Sequence, residues 1–280
     1  GGTWLDTVPP ETWERLGLDR QAVEALEELA EEQARYLVVL VQADVNAPRI
    51  RGHLRLLPYL RRMLAELPPE MEVAVVGFDS HLKLFADFGL DREVSWEAIW
   101  RAVHFGAKDP ILAAEDGGEL ARGFDFAAAK DAGLVEQGLE VVARALEPLP
   151  GRKLLVFTGH GVGNHGWFGV TQNAWAYRPA VAALHEAGVT VHALKTHAGS
   201  LAGTFAELAH DTGGTFGITE LFPGQEIGAI VGQAEGYYVL LLDGEAVPPG
   251  GGRVGVELVE PAGRWRLHVP PVELRSPAAD

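Results

Sequence analysis

Short, mainly apolar runs separated by helical stretches constrain the fold of this chain more than any other feature. The runs are residues 37–41, 73–78, 154–157 and 189–194, and helix-forming stretches such as 50–67 and 179–187 lie between them. A strand with one face in water alternates apolar and polar residues, so continuous runs predict strands that are covered on both faces. The sequence therefore predicts an α/β fold, with a doubly wound, mainly parallel sheet and helices on both of its faces.

Two stretches depart from this alternation. Residues 81–85 follow Phe78-Asp79-Ser80 too closely for a crossover helix, which predicts the return of a hairpin and one antiparallel edge strand. From residue 236 onward, three runs at 236–243, 253–259 and 264–269 are separated by turn signals too short to hold helices. These runs predict a small C-terminal antiparallel β unit.

The patterns divide the chain into four segments: an N-terminal helical arm at 1–35, an α/β domain at 36–235, a β extension at 236–274 and a patternless tail at 275–280. Apolar residues recur in the arm at roughly helical spacing, at Leu16, Leu18, Val23, Leu26 and Leu29. The acidic run at 27–32 is most simply a solvated helix face, and a partner surface is the alternative.

Composition excludes several kinds of function. The net charge of −16 argues against nucleic-acid and anionic-membrane partners, because proteins bind both through Lys and Arg. The absence of cysteine excludes disulfides, catalytic thiols and Cys-ligated metals. No apolar run approaches the roughly 20 residues that cross a bilayer, and the first residues do not form a signal peptide. We therefore expect no transmembrane segment, and either an intracellular chain or one whose targeting segment has been removed.

Four sequence blocks occur in an order and spacing that resemble a known family. They are VAVVGFDS at 73–80, PGRKLLVFTG at 150–159, LAHDTGG at 208–214 and GYYVL at 236–240. Together they resemble the von Willebrand factor A (VWA) domain, specifically the bacterial VWFA-related type. The resemblance implies a metal-ion-dependent adhesion site at the carboxyl edge of the sheet. In the family that site uses an Asp-x-Ser-x-Ser motif after the first strand, a Thr from a middle loop and an Asp after a later strand.

The first of these metal motifs is altered in this chain. It reads Gln42-x-Asp44-x-Asn46, or Asp44-x-Asn46-x-Pro48 in a register two residues later that keeps the acid but loses both hydroxyls. We expect Asp44 or Asn46 to cap the following helix instead, with Pro48 in the first turn of that helix.

The other two metal positions are altered as well. The family's middle block survives as Asp131-Ala132, which places the Thr position near Ala127, and Gly159 replaces the later Asp. Because a hard ion such as Mg²⁺ needs several oxygen ligands, we expect a degenerate metal site and no cofactor. The alternative is a divalent metal in a rewritten site of Asp44, Asn46 and His160, with His165 as a further candidate ligand.

An aromatic loop follows the third predicted strand. Trp167, Phe168, Trp175 and Tyr177 occur among small polar residues such as Asn164. Large rigid rings with polar neighbours are typical of protein-binding surfaces, so these five residues are the candidate partner contacts. The alternative is that the rings pack over the edge of the sheet.

Three other features are weaker candidates. The long connection at 105–130 is predicted to be disordered or a solvated surface. Asp79-Ser80-His81 supplies the residue types of a catalytic triad, but adjacent residues in a turn do not readily converge as nucleophile, base and orienting group. Ser95 is most simply a helix cap.

The sequence therefore predicts a non-enzymatic VWA-like domain that acts in protein–protein interaction or as a structural subunit. We expect a protein partner, bound through the acidic arm or the 159–177 loop, and we predict no particular oligomeric state. A metal-dependent binding protein is the second hypothesis, and an enzyme of unknown reaction is the third. The resemblance implies an extracytoplasmic location, with a cytoplasmic one as the alternative.

Overall fold

The computed structural model describes residues 36–151, 153–166, 169–171, 173–197, 201–220, 223–234, 252–254 and 272–274. The predicted helical arm, the predicted strands at 236–243 and 264–269 and the tail at 275–280 lie outside the described residues. None of the described helices is long and apolar enough to cross a membrane.

The central sheet consists of six strands. Five run parallel: β1 (Tyr36–Gln42), β2 (Glu72–Phe78), β4 (Lys153–Gly159), β7 (Val189–Lys195) and β8 (Phe216–Ile218). The sixth, β3 (Leu82–Ala86), pairs antiparallel with β2. The order across the sheet is β3-β2-β1-β4-β7-β8, which places β1 near its centre. The predicted parallel sheet with one antiparallel edge strand is confirmed.

Helices cover both faces of this sheet. One face carries α1 (Ala47–Glu66), α2 (Arg92–Ala102) and α8 (Pro223–Ala234). Five helices lie on the other side: α3 (Glu119–Gly123), α4 (Phe126–Asp131), α5 (Val135–Leu146), α6 (Ala174–Glu186) and α7 (Ala202–Asp211). Residues 37–41 of β1 are fully buried, because side chains pointing to either face meet a helical layer. This arrangement explains why the apolar runs are continuous.

Two short antiparallel pairs lie outside the central sheet. β5 (Asn164–Gly166) pairs with β6 (Gly169–Thr171), and β9 (Gly252–Val254) pairs with β10 (Val272–Leu274). The first pair is a hairpin in the connection after β4. The last strand, β10, begins beyond the run at 264–269 that the sequence pattern had indicated.

The connection at 105–130 is ordered, so the predicted disorder is wrong, whereas residues 105–119 are exposed or half-buried, as the alternative of a solvated surface expects. It contains a 3₁₀ turn at Ala114–Asp116 as well as α3 and α4, and Leu120 and Phe124 are buried in the core. The Asp87 carboxylate accepts hydrogen bonds from the backbone N–H groups of Gly118, Leu120 and Ala121, at 2.7 to 3.0 Å. A carboxylate at the start of α3 satisfies donors that the helix itself leaves unpaired, which holds this connection against the sheet.

The predicted cap at Ser95 is wrong. Asp91 caps α2 instead, because its side chain accepts from the backbone N–H groups of Glu93 and Val94. Ser95 lies one turn further along the helix, where it is buried and donates to the carbonyl oxygen of Asp91 at 3.1 Å.

Candidate functional site

The carboxyl ends of β1, β4 and β7 meet at one edge of the sheet, and Gln42 connects the first two. Its side chain is buried at the end of β1. The amide oxygen accepts from the N–H groups of His160 and Gly161, at 3.0 and 3.1 Å, and the amide nitrogen donates to the Gly161 carbonyl at 3.1 Å. Both lone pairs of the oxygen are therefore used by the backbone, so the oxygen is not offered to an ion.

Gly159, at the end of β4, belongs to the same arrangement. A β carbon at this position would lie 2.5 Å from the Gln42 Oε1 and 2.7 Å from the Gln42 Cβ, closer than atoms tolerate. An aspartate therefore does not fit at residue 159 while Gln42 keeps its hydrogen bonds. The two altered metal positions are neighbours, and the Gln42 side chain leaves no room for a side chain at residue 159.

Asp44 is the acidic residue that remains at this edge, and its carboxylate is paired with an arginine. One carboxylate oxygen accepts from the Asn46 N–H at 2.8 Å, and the other contacts the Arg49 guanidinium, the two residues forming an ion pair. Burial raises the pKa of Asp44, but the hydrogen bonds from Arg49 and Asn46 outweigh that effect and hold the pKa below its usual value. The carboxylate stays ionised, with its charge balanced by a neighbouring side chain.

The start of α1 follows the prediction in part. Pro48 lies in the first turn, and Asn46 takes the position before the helix. The Asn46 side chain makes no capping hydrogen bond, so the predicted side-chain cap is wrong. Asp44 stabilises the turn before the helix through the Asn46 N–H instead.

Three basic residues lie around Asp44 and His160: the predicted candidate ligand His160 itself, and Lys195 and His53, which the sequence patterns did not single out. The His160 Nδ1 lies 3.7 Å from an Asp44 oxygen, and the Lys195 ammonium, buried at the end of β7, donates to the His160 carbonyl at 2.8 Å. His53 of α1 is buried with its Nε2 3.5 Å from the carbonyl oxygen of Thr158. Burial lowers the pKa of Lys195 to about 8. The termination of β7 at the same edge was the one sequence signal that could have identified Lys195.

The donor set does not fit a hard divalent ion. Gln42 is saturated by the backbone, Asp44 is paired with Arg49, and Asn46 is exposed. Ala127 offers only a methyl group in the first turn of α4, where Asp125 caps the helix. Within the described residues, no group of three His, Asp or Glu side chains is placed to hold a metal ion. We therefore assign no role to a metal ion at this edge.

The predicted partner residues fall into different environments. Trp175 is 67% exposed in the first turn of α6, directly after the β5–β6 hairpin. Tyr177 is buried and its hydroxyl donates to Asp211 at 2.7 Å, so it is a core residue and its prediction as a contact residue is wrong. Trp167, Phe168 and the side chain of Asn164 lie outside the described part of the chain.

The turn at Asp79-Ser80-His81 brings together the residue types of a catalytic triad. They are not arranged as a nucleophile, a base and an orienting acid. Ser80 Oγ lies 3.0 Å from His81 Nδ1 and 3.1 Å from an Asp79 oxygen, so acid and imidazole both face the hydroxyl. An orienting acid must bind the ring nitrogen opposite the nucleophile. Asp79 is engaged elsewhere, because its other oxygen accepts from the buried Lys83 ammonium at 2.7 Å and from the Gly106 N–H at 2.8 Å. The group therefore ties the β2–β3 hairpin to the end of α2.

We expect the protein to lose stability as pH falls from about 6.5 towards 4. Burial lowers the pKa of His53 to about 4 and that of His160 to about 3, from an ordinary 6.5. In this window the unfolded chain takes up protons that the folded chain does not, so acid favours unfolding. For His53 alone the loss is on the order of 3 kcal/mol.

Urea unfolding at pH 7 and pH 5 measures this dependence. The variant His53→Asn should show a weaker pH dependence than the parent protein, whereas His210→Gln, at a residue whose side chain is 85% exposed, should leave it unchanged. Equal pH dependence in all three proteins would contradict the assignment.

No family profile matches this sequence, and no curated protein matches it. A von Willebrand factor type A structure from Catenulispora acidiphila matches with a TM-score of 0.52 and 13% identity, over 74% of this chain and 44% of that chain. Proximal thread matrix protein 1 from the mussel byssus matches with a TM-score of 0.48 and 12% identity, over 71% of this chain and 47% of that one. The chain thus spans less than half the length of these two proteins. The first likeness shows that this chain has the VWA fold.

Proposed function

We propose that this chain is a non-enzymatic, protein-binding domain of the VWA fold that recognises its partner without a metal ion. The arrangement of Gln42 and Gly159 carries the proposal: the Gln42 amide is saturated by backbone hydrogen bonds, and a side chain at residue 159 would collide with it. The ion pair between Asp44 and Arg49 supports it further, because the remaining acid is already neutralised. On the resemblance to bacterial VWFA-related proteins, we place the domain outside the cytoplasm.

The partner surface we propose is the aromatic loop at 164–175. Trp175 is 67% exposed in the first turn of α6, the helix that follows the β5–β6 hairpin. A large exposed ring on a regular element loses little side-chain entropy on binding and contributes strongly when buried by a partner. The same loop supplies Trp167 and Phe168 in sequence.

Replacing Trp175 by alanine should abolish partner capture and leave folding intact. Because the ring is exposed, its loss should change the thermal unfolding temperature by no more than about 2 °C. The measurement is capture of native-source proteins on the immobilised protein, with bound species compared between the parent and Trp175→Ala. Trp100→Ala is the matched control, since Trp100 is 46% exposed on α2 and belongs to another surface.

The same capture experiment, run with chelator and with added Mg²⁺, separates the proposal from its metal-dependent alternative. We expect identical binding in both conditions, together with no stoichiometric metal in protein purified without chelator. Binding that needs Mg²⁺ and is lost in Asp44→Asn would favour the alternative site of Asp44, Asn46 and His160. Equal capture by Trp175→Ala and the parent would remove the aromatic loop from the proposal.

A further inference from the structure

Two buried lysines at the carboxyl edge of the sheet differ in whether they have a counter-ion. Lys83, near the start of β3, donates to the Asp79 carboxylate at 2.7 Å. Lys195, the last residue of β7, is only 2% exposed, and its ammonium donates to the carbonyl oxygen of His160 at 2.8 Å. Within the described residues, no carboxylate forms an ion pair with Lys195. A buried ammonium without a carboxylate costs free energy, because one neutral carbonyl replaces only part of its hydration.

The charges near Lys195 leave the site positive. Burial and, to a smaller extent, the nearby Arg49 charge lower the pKa of Lys195 to about 8, so the ammonium stays largely protonated at pH 7. His53 and His160 are neutral at that pH, because burial lowers the pKa of each. Asp44 supplies one negative charge and pairs with Arg49. Two cations therefore share one carboxylate, which leaves one uncompensated positive charge in a chain whose net charge is −16.

Two other described acids at the same edge are engaged by other groups. The Glu220 carboxylate, just after β8, lies 3.6 Å from the Nδ1 of His197. Glu136, at the start of α5, is buried and accepts from the N–H group of Gly163 at 2.8 Å. Neither acid forms an ion pair with Lys195, so the positive charge is not balanced from these elements.

Hydrogen-bond donors are also left over at this cluster. Among the described residues, the Lys195 ammonium uses one of its three N–H groups and the Arg49 guanidinium donates to Asp44 alone of its possible acceptors. The Nδ1 of His160 is buried without a hydrogen-bond partner in the same part of the chain. The side chains of Asp44, Arg49 and His160 are partly exposed, so solvent reaches the outer side of the cluster. A group with two acceptor oxygens can accept from both cations at once.

From these observations we propose that Arg49 and Lys195 together bind a carboxylate group of a ligand. A carboxylate carries one negative charge, which matches the one uncompensated positive charge, whereas a phosphate group carries more than one at pH 7. The ligand approaches from the partly exposed side of Arg49, and its oxygens accept from the guanidinium and the ammonium. A small organic acid and an Asp or Glu side chain of another protein supply the same chemistry. The proposal is independent of the aromatic loop at 164–175.

Thermal unfolding of the full chain at pH 7, in sodium acetate and in sodium chloride of equal ionic strength, tests this site. Acetate should raise the unfolding temperature of the parent protein above its value in chloride, by about 3 °C when acetate is about tenfold above its dissociation constant. Lys195→Met should lose this difference. In chloride the same variant should unfold at the parent's temperature or higher, because an uncompensated buried charge has been removed. A lower unfolding temperature in chloride, or an acetate effect equal to the parent's, would overturn the proposal.

Lys83→Met is the matched control, since it removes a buried ammonium that already has its carboxylate. It should lower the unfolding temperature in chloride and keep the acetate effect. N-acetyl-aspartate amide, used in place of acetate, separates the two sources of the carboxylate. Stabilisation by both probes assigns the site to a protein side chain, and stabilisation by acetate alone assigns it to a small acid. No response of the parent protein to either probe, or a larger response to inorganic phosphate than to acetate, would contradict a carboxylate site.

Discussion

Alanine at Gly52 is expected to destabilise the protein by about 3 kcal/mol or more, although alanine normally stabilises a helix. Gly52 lies within α1, where a β carbon would overlap the carbonyl oxygen of Thr196, just beyond the end of β7. Because the atom in the way is backbone, it cannot turn aside as a flexible side chain would. Either α1 or the end of β7 must move, and both line the carboxyl edge.

Gly228→Ala provides the matched control for this substitution. Gly228 also lies within a helix, α8, and a β carbon there would meet nothing within 4 Å. Its replacement should be neutral or stabilising by up to about 1 kcal/mol, since only helix propensity changes. Urea unfolding of the two variants measures the difference. Similar effects would mean that α1 does not approach Thr196 as closely as the structure places it.

Methionine at Gln42 should cost about 3 kcal/mol or more, because it keeps the volume of glutamine but removes its hydrogen bonds. Two N–H groups and one carbonyl in residues 160 and 161 lose their partners, and the site is buried. A buried donor without an acceptor costs the full desolvation of that group. Hydrogen exchange at the His160 and Gly161 amides should accelerate together with the loss of stability.

Gln137→Met serves as the comparison for that variant. Gln137 also accepts from two backbone N–H groups, those of Gly133 and Leu134, but at a half-exposed helix start where water can replace the side chain. Its replacement should cost only about 1 kcal/mol. If the two variants lost the same free energy, the Gln42 amide would not be holding the carboxyl edge together.

The sheet was predictable from the sequence because its signal is local. Each long parallel strand is a mainly apolar run, although β7 also holds Thr190 and His192, and burial on both faces is visible within five or six residues. The strand β8 was missed for the same reason, since it has only three residues and one of them is Gly217. The order at 105–130 was also missed, because it depends on Asp87, some thirty residues earlier in the chain.

At the carboxyl edge, the sequence indicated which residues had changed but not how they contact one another. Gln42 and Gly159 are 117 positions apart, and no periodicity relates them. Trp175 and Tyr177 could not be told apart because the helix was expected to begin near residue 179, whereas α6 begins at Ala174. Residues two positions apart in a helix lie on nearly opposite sides of it. The Trp175 ring therefore lies in solvent and the Tyr177 ring in the core. The helix boundary, not the residue type, decided the outcome.

The central position of β1 has a consequence for how the chain folds. The two neighbours of β1 in the sheet are β2, which follows about 36 residues later, and β4, which follows about 117 residues later. The middle of the sheet is therefore complete only after the long loop between β1 and β4 has closed. Until then the uncharged segment YLVVLVQ has one edge open, and such a segment pairs readily with other chains. During synthesis this edge is available from the emergence of β2 until residue 159 has left the ribosome. The strand that organises the native sheet is thus also a segment open to aggregation while the chain is incomplete.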